Sequence, residues 1–229
     1  MDTDNLSTPS LGIIVAMSSE LSMLLREMQQ VTEVTDNGFT FHCGVIGTRR
    51  VTAMQCGIGK VNAAVGALTL IERFHPAAIV NTGIAGGTGQ GADILDVVVG
   101  AEVAYHDVDC GPGNLPGQVQ GFPDRFPGAL HLFGIDATTP GIKLGLIASG
   151  DSFISTPAQL AAVLAVRPEA IAVDMESAAI AQVCAIKHVP FLSIRVVSDT
   201  PGADNHLDQY LDFWNVAPSR TFSLLRSLL

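Results

Sequence analysis

Charge is scarce in this sequence. Of 229 residues only 15% are Asp, Glu, Lys or Arg, and 12 basic residues face 22 acidic ones, a formal net charge of −10. Without a cluster of Lys and Arg to neutralise phosphates, a nucleic-acid or anionic-membrane surface is disfavoured, and a small uncharged or cationic ligand fits better. Long apolar runs are missing too. None approaches the length that spans a bilayer, and Met1 to Ser10 lack the basic start and apolar stretch of a secretion signal, so no membrane partner is expected and the cytoplasm is the expected compartment. Cysteine is sparse and scattered: Cys43, Cys56, Cys110 and Cys184 form no C-x-x-C pair and no Cys/His cluster at zinc-ligand spacing. That excludes a disulfide framework as the organising element and predicts no metal centre. Internal repeats and low-complexity segments are absent.

What is present is apolar. Hydrophobic residues make up 48% of the chain, enough for a large core, and a mean hydropathy of +0.38 suits a sheet covered on both faces, whose central strands need no polar side. Residues 1–10 are polar and are expected to form a flexible arm, with a single folded domain over 11–229. Apolar runs at Leu11 to Met17, Phe39 to Ile46, Val51 to Cys56, Ala77 to Thr82, Asp96 to Tyr105, Leu144 to Ala148, Ala170 to Val173 and Phe191 to Val197 predict strands. Helical spacing predicts a helix after Ser18-Ser19-Glu20, one after Gly57 to Lys60 with Val61, Ala64, Val65, Leu68 and Ile71 on its apolar face, and others over 155–166, 175–186 and from Tyr210 onward. Gly83 to Gly91 and Gly111 to Pro127 are expected to be loops. Strands alternating with helices imply an α/β fold, a mixed and mostly parallel twisted central sheet flanked by helices.

In such sheets ligands bind beyond the carboxyl ends of strands, which selects the short segments worth testing for chemistry. The Gly57-x-Gly59-Lys60 turn has the position of a phosphate loop but not its pattern: Met54, Val61 and Asn62 stand where glycines or a hydroxyl residue would be needed, so it is taken as a tight structural turn. The glycine-rich segment from Gly83 is either a plain connection or a place where a ligand approaches backbone, and its position favours the latter. His106-Asp107-Val108-Asp109 alternates its donors to opposite sides with no second cluster to complete a metal shell, so a structural or interface role is expected. Asp174 alone would be an ordinary acid at a helix N-terminus. Glu176, followed by an Ala-rich helix face, is harder to explain that way. Asp199 ends a strand carrying Arg195, and a buried arginine needs carboxylate partners. Glu20 is a third acid at the same edge. Three acids and an arginine fit glycosidic cleavage, which needs an acid for the leaving group, a base for water and anions beside an oxocarbenium-like sugar. Neither a Ser-His-Asp elbow nor a Cys-His pair offers an alternative.

The segments Leu11 to Glu20 (LGIIVAMSSE), Gly57 to Asn62 (GIGKVN), Asn81 to Gly87 (NTGIAGG), Tyr105 to Asp109 (YHDVD), Gly145 to Ile154 (GLIASGDSFI), Ala172 to Ala179 (AVDMESAA) and Arg195 to Asp199 (RVVSD) together resemble the bacterial 5′-methylthioadenosine/S-adenosylhomocysteine nucleosidases, within the purine nucleoside phosphorylase superfamily. The resemblance runs from about Leu11 to the C-terminus. It implies a nucleoside phosphorylase-like fold, hydrolysis of an adenosine thioether, no cofactor, and a homodimer in which the loop after Asp109 caps the neighbour's alkylthio pocket. It further implies that Glu20 activates water, with Arg195 and Glu176 holding it; that Glu176 and Met175 meet the ribose and Met17 lines its pocket; and that Asp199, aided by Ser198, protonates adenine N7. Phe153 would stack on the purine and the Ile154 backbone would contact its edge. Two departures stand out. Ile84 replaces a small polar residue common in the family, which removes a hydrogen bond near the ribose. The loop over 110–118 is short and lacks the family's aromatics, leaving Leu115 and Pro116 as the capping candidates.

Three other readings compete. A phosphorylase on the same scaffold would need an arginine-rich anion site, and Glu20 would repel phosphate. Hydrolysis of 6-amino-6-deoxyfutalosine uses the same fold. A non-catalytic nucleoside-binding protein would have little reason to keep Glu20, Glu176, Arg195 and Asp199 together.

Overall fold

A computed structural model describes residues 10–201, 208–211 and 213. The arm expected over 1–10, apart from Ser10, lies outside the described residues, as does most of the segment expected to be helical from Tyr210 onward; residues 208–211 and 213 are helical. The elements run β1 (Leu11–Val15), α1 (Ser18–Glu27), β2 (Gln29–Asp36), β3 (Phe39–Ile46), β4 (Arg49–Gln55), α2 (Lys60–Phe74), β5 (Ala78–Gly87), β6 (Val97–Tyr105), β7 (Phe126–Pro127), β8 (Ile142–Ser149), α3 (Pro157–Val166), β9 (Ala170–Asp174), α4 (Ser177–Lys187) and β10 (Phe191–Asp199).

The described strands form one mixed sheet. β1 lies between β4 and β5, parallel to both, and β3 and β2 extend that side as an antiparallel edge. On the other side the sheet closes on itself: β5 pairs with β10, β10 with β6, β6 with β8, β8 with β9, and β9 returns to the end of β5 through Gly86 and Gly87. Pairing on both edges and cover on both faces explain why β1, β9 and β10 are buried at every position and are largely apolar, with Ser193, Arg195, Ser198 and Asp199 in β10 and Asp174 at the end of β9 as buried polar exceptions.

Three features depart from the sequence expectation. The polar run 29–36 carries no strand signature, yet it pairs with β3 as an edge strand, where side chains of either face can stay in water. β5 continues through Gly83 to Gly87 instead of breaking into a loop at Gly83, because β10 supplies ladder partners along Gly83 to Gly86 and β9 along Gly86 and Gly87. The buried face of α2 is Ala63, Gly66, Ala67, Leu70 and Ile71, so of the apolar face expected from spacing only Ile71 is buried. A Cβ on Gly66 would come within 2.8 Å of the Cys56 Cβ; small residues let α2 approach the sheet closely, and the larger Val61, Val65 and Leu68 face outward.

Candidate active site

The carboxyl ends of β1, β5, β8, β9 and β10 meet around an open cleft whose lining includes Met17, Glu20, Ile84, Phe153, Ile154, Met175, Glu176, Arg195, Ser198 and Asp199. Ten of the twelve residues singled out in the sequence therefore share one cavity. The other two, Leu115 and Pro116, are exposed on the 110–118 loop and do not line the cleft of their own chain. Asp174, Tyr210, Ala16, Ile58, Ala85, Gly86, Ser152 and Val173 also line it.

Glu20 is placed by helix capping. It is the third residue of α1, and its Oε2 accepts the backbone N–H groups of Ala16 and Met17 at 2.9 Å each. Acceptors at this position satisfy the orphan donors of a helix start. Here the same contact turns the carboxylate inward, where Oε1 accepts the Ile84 N–H at 3.1 Å. Burial raises the Glu20 pKa above the ordinary carboxylate value against the opposing pull of Arg195 and these three backbone donors. Gly83 permits the arrangement: a Cβ there would collide with the Glu20 carboxylate and lie 2.8 Å from Arg195 Nη1.

Arg195 is fully buried on β10. Its Nη2 lies 2.6 Å from Asp174 Oδ2 and 3.5 Å from Glu176 Oε2, and donates to Asn81 Oδ1 at 2.5 Å and to Ser177 Oγ at 3.2 Å. Its Nε is buried without a hydrogen-bond partner. A buried donor left unpaired is costly unless something else meets it. Asp174 is thus the direct partner of Arg195 and no ordinary helix-end acid; it also accepts from Ser149 Oγ at 2.5 Å and from Ser177 Oγ.

Glu176 sits at the N-cap of α4 and its Oε1 accepts the Gly59 N–H at 3.0 Å. Burial pushes its pKa up to about 7; Arg195 and the Gly59 donor oppose the rise, while Asp174 and Glu20 add to it. At the far wall Asp199 is buried at the end of β10, and Ser198 Oγ is placed to donate to its Oδ1. Phe153 packs edge-on against Tyr210, with ring centroids 5.5 Å apart, and the Tyr210 hydroxyl reaches Met17 Sδ at 3.7 Å.

Sequence reasoning missed Asp174, Asn81, Ser177, Tyr210 and the Gly59 amide as parts of this site. Asn81 and Ser177 lie inside segments whose polar residues interrupt apolar runs, a signal that was available; Tyr210 gives none. Among the described residues no group of three or more His, Cys, Asp or Glu side chains has the geometry to hold a metal ion, and no helix is long and apolar enough to cross a membrane.

Residues 10–229 match the family model described as the phosphorylase superfamily, the class that this closed sheet and cleft define. The 5′-methylthioadenosine/S-adenosylhomocysteine nucleosidase of Anoxybacillus flavithermus is 38% identical over 211 residues, covering 88% of this chain and 91% of the relative. That of Staphylococcus aureus is 36% identical over 227 residues, 96% of this chain and 100% of the relative. Among solved structures, the Streptococcus pneumoniae nucleosidase with a transition-state inhibitor superposes with a TM-score of 0.88 at 33% identity, covering 96% of this chain and 97% of that one. The Colwellia psychrerythraea nucleosidase in complex with adenine gives 0.87 at 35% identity, with 96% and 94% covered. The chain belongs to the 5′-methylthioadenosine/S-adenosylhomocysteine nucleosidase family of that superfamily.

Proposed function

We propose that this chain hydrolyses the N-glycosidic bond of 5′-methylthioadenosine, S-adenosylhomocysteine or both, releasing adenine and the corresponding thioribose. The observation that carries the reading is the charge around Arg195. Glu20, Asp174 and Glu176 surround one guanidinium that two of them already contact, and Arg195 is the one cation among the described residues lining the cleft. Such a wall suits water and a sugar gaining positive charge; an incoming phosphate would meet net negative charge.

In this reading Glu20 is the base. Three backbone donors fix its orientation, and Oε1 retains a lone pair for a water held between it and the unpaired Arg195 Nε. Glu176 orients the ribose hydroxyls and offsets charge on C1′ as the bond lengthens. Asp199, turned by Ser198, gives its proton to N7, so that adenine leaves as a neutral base instead of an anion; a positioned acid of this kind contributes about 10²–10⁴-fold. Phe153 and the Ile154 backbone hold the purine, Met17 and Met175 the sugar side. Ile84 contributes its backbone to Glu20 and only an apolar side chain to the cleft. The chemistry needs no cofactor.

The same reading takes the assembly as a homodimer in the cytoplasm. Val61, Val65 and Leu68 form an exposed apolar stripe along α2, continued by Ile58 in the turn before it, with Val61 73% accessible. Ile58 also lines the cleft. A second copy covering the stripe would bring its own 110–118 loop, with Leu115 and Pro116, over the thioether end of the pocket.

The test is release of adenine by the purified chain from methylthioadenosine and from S-adenosylhomocysteine, with 6-amino-6-deoxyfutalosine as a comparison. Rapid release from either thioether supports the reading, and Asp199→Asn should remove it while still binding the substrate. No turnover of either thioether, or full activity in Asp199→Asn, would overturn it.

A further inference from the structure

One polar cluster beside the cleft has no part in that chemistry. The Asp107 carboxylate accepts Lys60 Nζ at both oxygens, at 3.0 and 2.8 Å, and its Oδ2 also accepts the Asp151 N–H at 2.8 Å. Asp151 Oδ1 in turn accepts the Lys60 backbone N–H at 2.8 Å, and Lys60 Nζ lies over the Tyr105 ring, 5.5 Å from its centroid. Three connections distant in sequence, after β4, β6 and β8, are thus tied at one point. None of Lys60, Asp107 and Asp151 lines the cleft, so none is placed to touch a substrate.

What the tie holds is functional on both sides. Directly before Lys60 is Gly59, whose N–H is bonded to Glu176. Directly after Asp151 come Ser152, Phe153 and Ile154, which line the cleft. The Gly57–Gly59 turn has φ of +94° and +93° at its two glycines, a backbone that does not hold itself in one conformation. Below the tie, His106 is packed so closely against Gly150 that a Cβ there would strike its ring. The Lys60 and Asp107 side chains are only 24% and 25% accessible, so the pair is less screened than a surface ion pair.

We propose that Asp107 and Lys60 are positioning residues for glycosidic cleavage: their ion pair locks the Gly57–Gly59 turn to the 151–154 segment, so that one contact fixes Glu176 on the ribose side and Phe153 and Ile154 on the base side. This rests on the nucleosidase reading above. The sequence motif that looked like a metal-binding run is, through Asp107, the clamp between the two halves of the substrate site.

The consequence is a pH signature. A hydrogen bond to the ionised form favours ionisation, so loss of the Gly59 donor raises the pH at which Glu176 becomes charged. The other groups facing Glu176 are Arg195 from β10, Asp174 from β9, Glu20 from α1 and the Cys56 thiol beyond β4, and neither variant below alters them. Lys60→Met removes a positive charge and Asp107→Asn a negative one. A purely electrostatic influence moves the acid limb of the kcat profile in opposite directions; loss of the clamp moves it upward in both.

The experiment measures kcat and KM for methylthioadenosine against pH in the wild type, Lys60→Met, Asp107→Asn and the double variant, with thermal midpoints and hydrogen exchange at the Gly59 amide. We expect roughly tenfold lower kcat/KM in each single variant, a double variant no worse than either, an upward shift of the acid limb in both, and faster exchange at Gly59. Opposite shifts, an unmoved limb with only a lower melting point, or unchanged Gly59 exchange would overturn the clamp. A wild type that releases no adenine would instead overturn the reaction, and the Gly59 exchange would still decide whether the clamp exists.

Discussion

At the residue scale the site is a problem of charge balance. One guanidinium, Arg195, serves Asp174, Glu176 and Glu20, and all four are buried. Glu176 bears the excess: its folded pKa of about 7 lies above the value it would have in the unfolded chain. The folded state therefore holds a proton that the unfolded state releases between roughly pH 4.5 and 7, and stability from this group is present at low pH and falls as pH rises through that window. Glu176→Gln removes the cost of the charge and keeps an acceptor for Gly59. Its thermal midpoint should exceed that of the parent at pH 8 by a few degrees, about 1–2 kcal/mol, with the gap closing toward pH 5, while kcat/KM falls at least about 100-fold. A lower midpoint at pH 8 than the parent would contradict this. Arg195 and Asp199 were legible as candidates because they interrupt and end an apolar run, where a charge needs a reason; Glu176 stood out before an Ala-rich helix face, and Glu20 as a third acid at the same edge. Asp174, Asn81 and Ser177 were less so. Their importance lies in facing Arg195 across gaps of up to 114 residues, and no local pattern encodes that.

At the scale of elements, strands and helices were readable wherever a segment has one clear environment. β1, β9 and β10 are buried throughout, and β1 and the stretches Ala170 to Val173 and Phe191 to Val197 are apolar apart from Ser193 and Arg195. Apart from the polar edge strand β2, the reading failed where an element answers to two neighbours. α2 has small residues toward the sheet and branched ones outward, so apolar periodicity selected the wrong face. β5 runs on through glycines because two strands pair with it there. The outward face of α2 carries its own prediction. Val61→Lys with Val65→Lys replaces two exposed apolar groups, so the fold should survive; under the proposed homodimer, sedimentation velocity should show a dimer for the parent and a monomer for the variant, and the KM for methylthioadenosine should rise in the variant. A parent that sediments as a monomer, or a variant that stays dimeric, would show that this stripe is not the interface.

For the whole molecule, the shortage of basic residues and the net charge of −10 extend the logic of the site. The field around the cleft and the groups inside it both disfavour anions, and both suit an uncharged nucleoside whose sugar becomes cationic as the bond breaks. The closure of β5, β10, β6, β8 and β9 brings the ends of β5, β8, β9 and β10 together beside that of β1, and that convergence, invisible in any single segment, turns scattered acids into one candidate active site. The central claim is that water is the nucleophile. Its most direct test is to follow methylthioadenosine turnover with and without inorganic phosphate and identify the sugar product: free methylthioribose, at a rate indifferent to phosphate, is the predicted result, and a phosphate-dependent rate yielding the sugar 1-phosphate would contradict it.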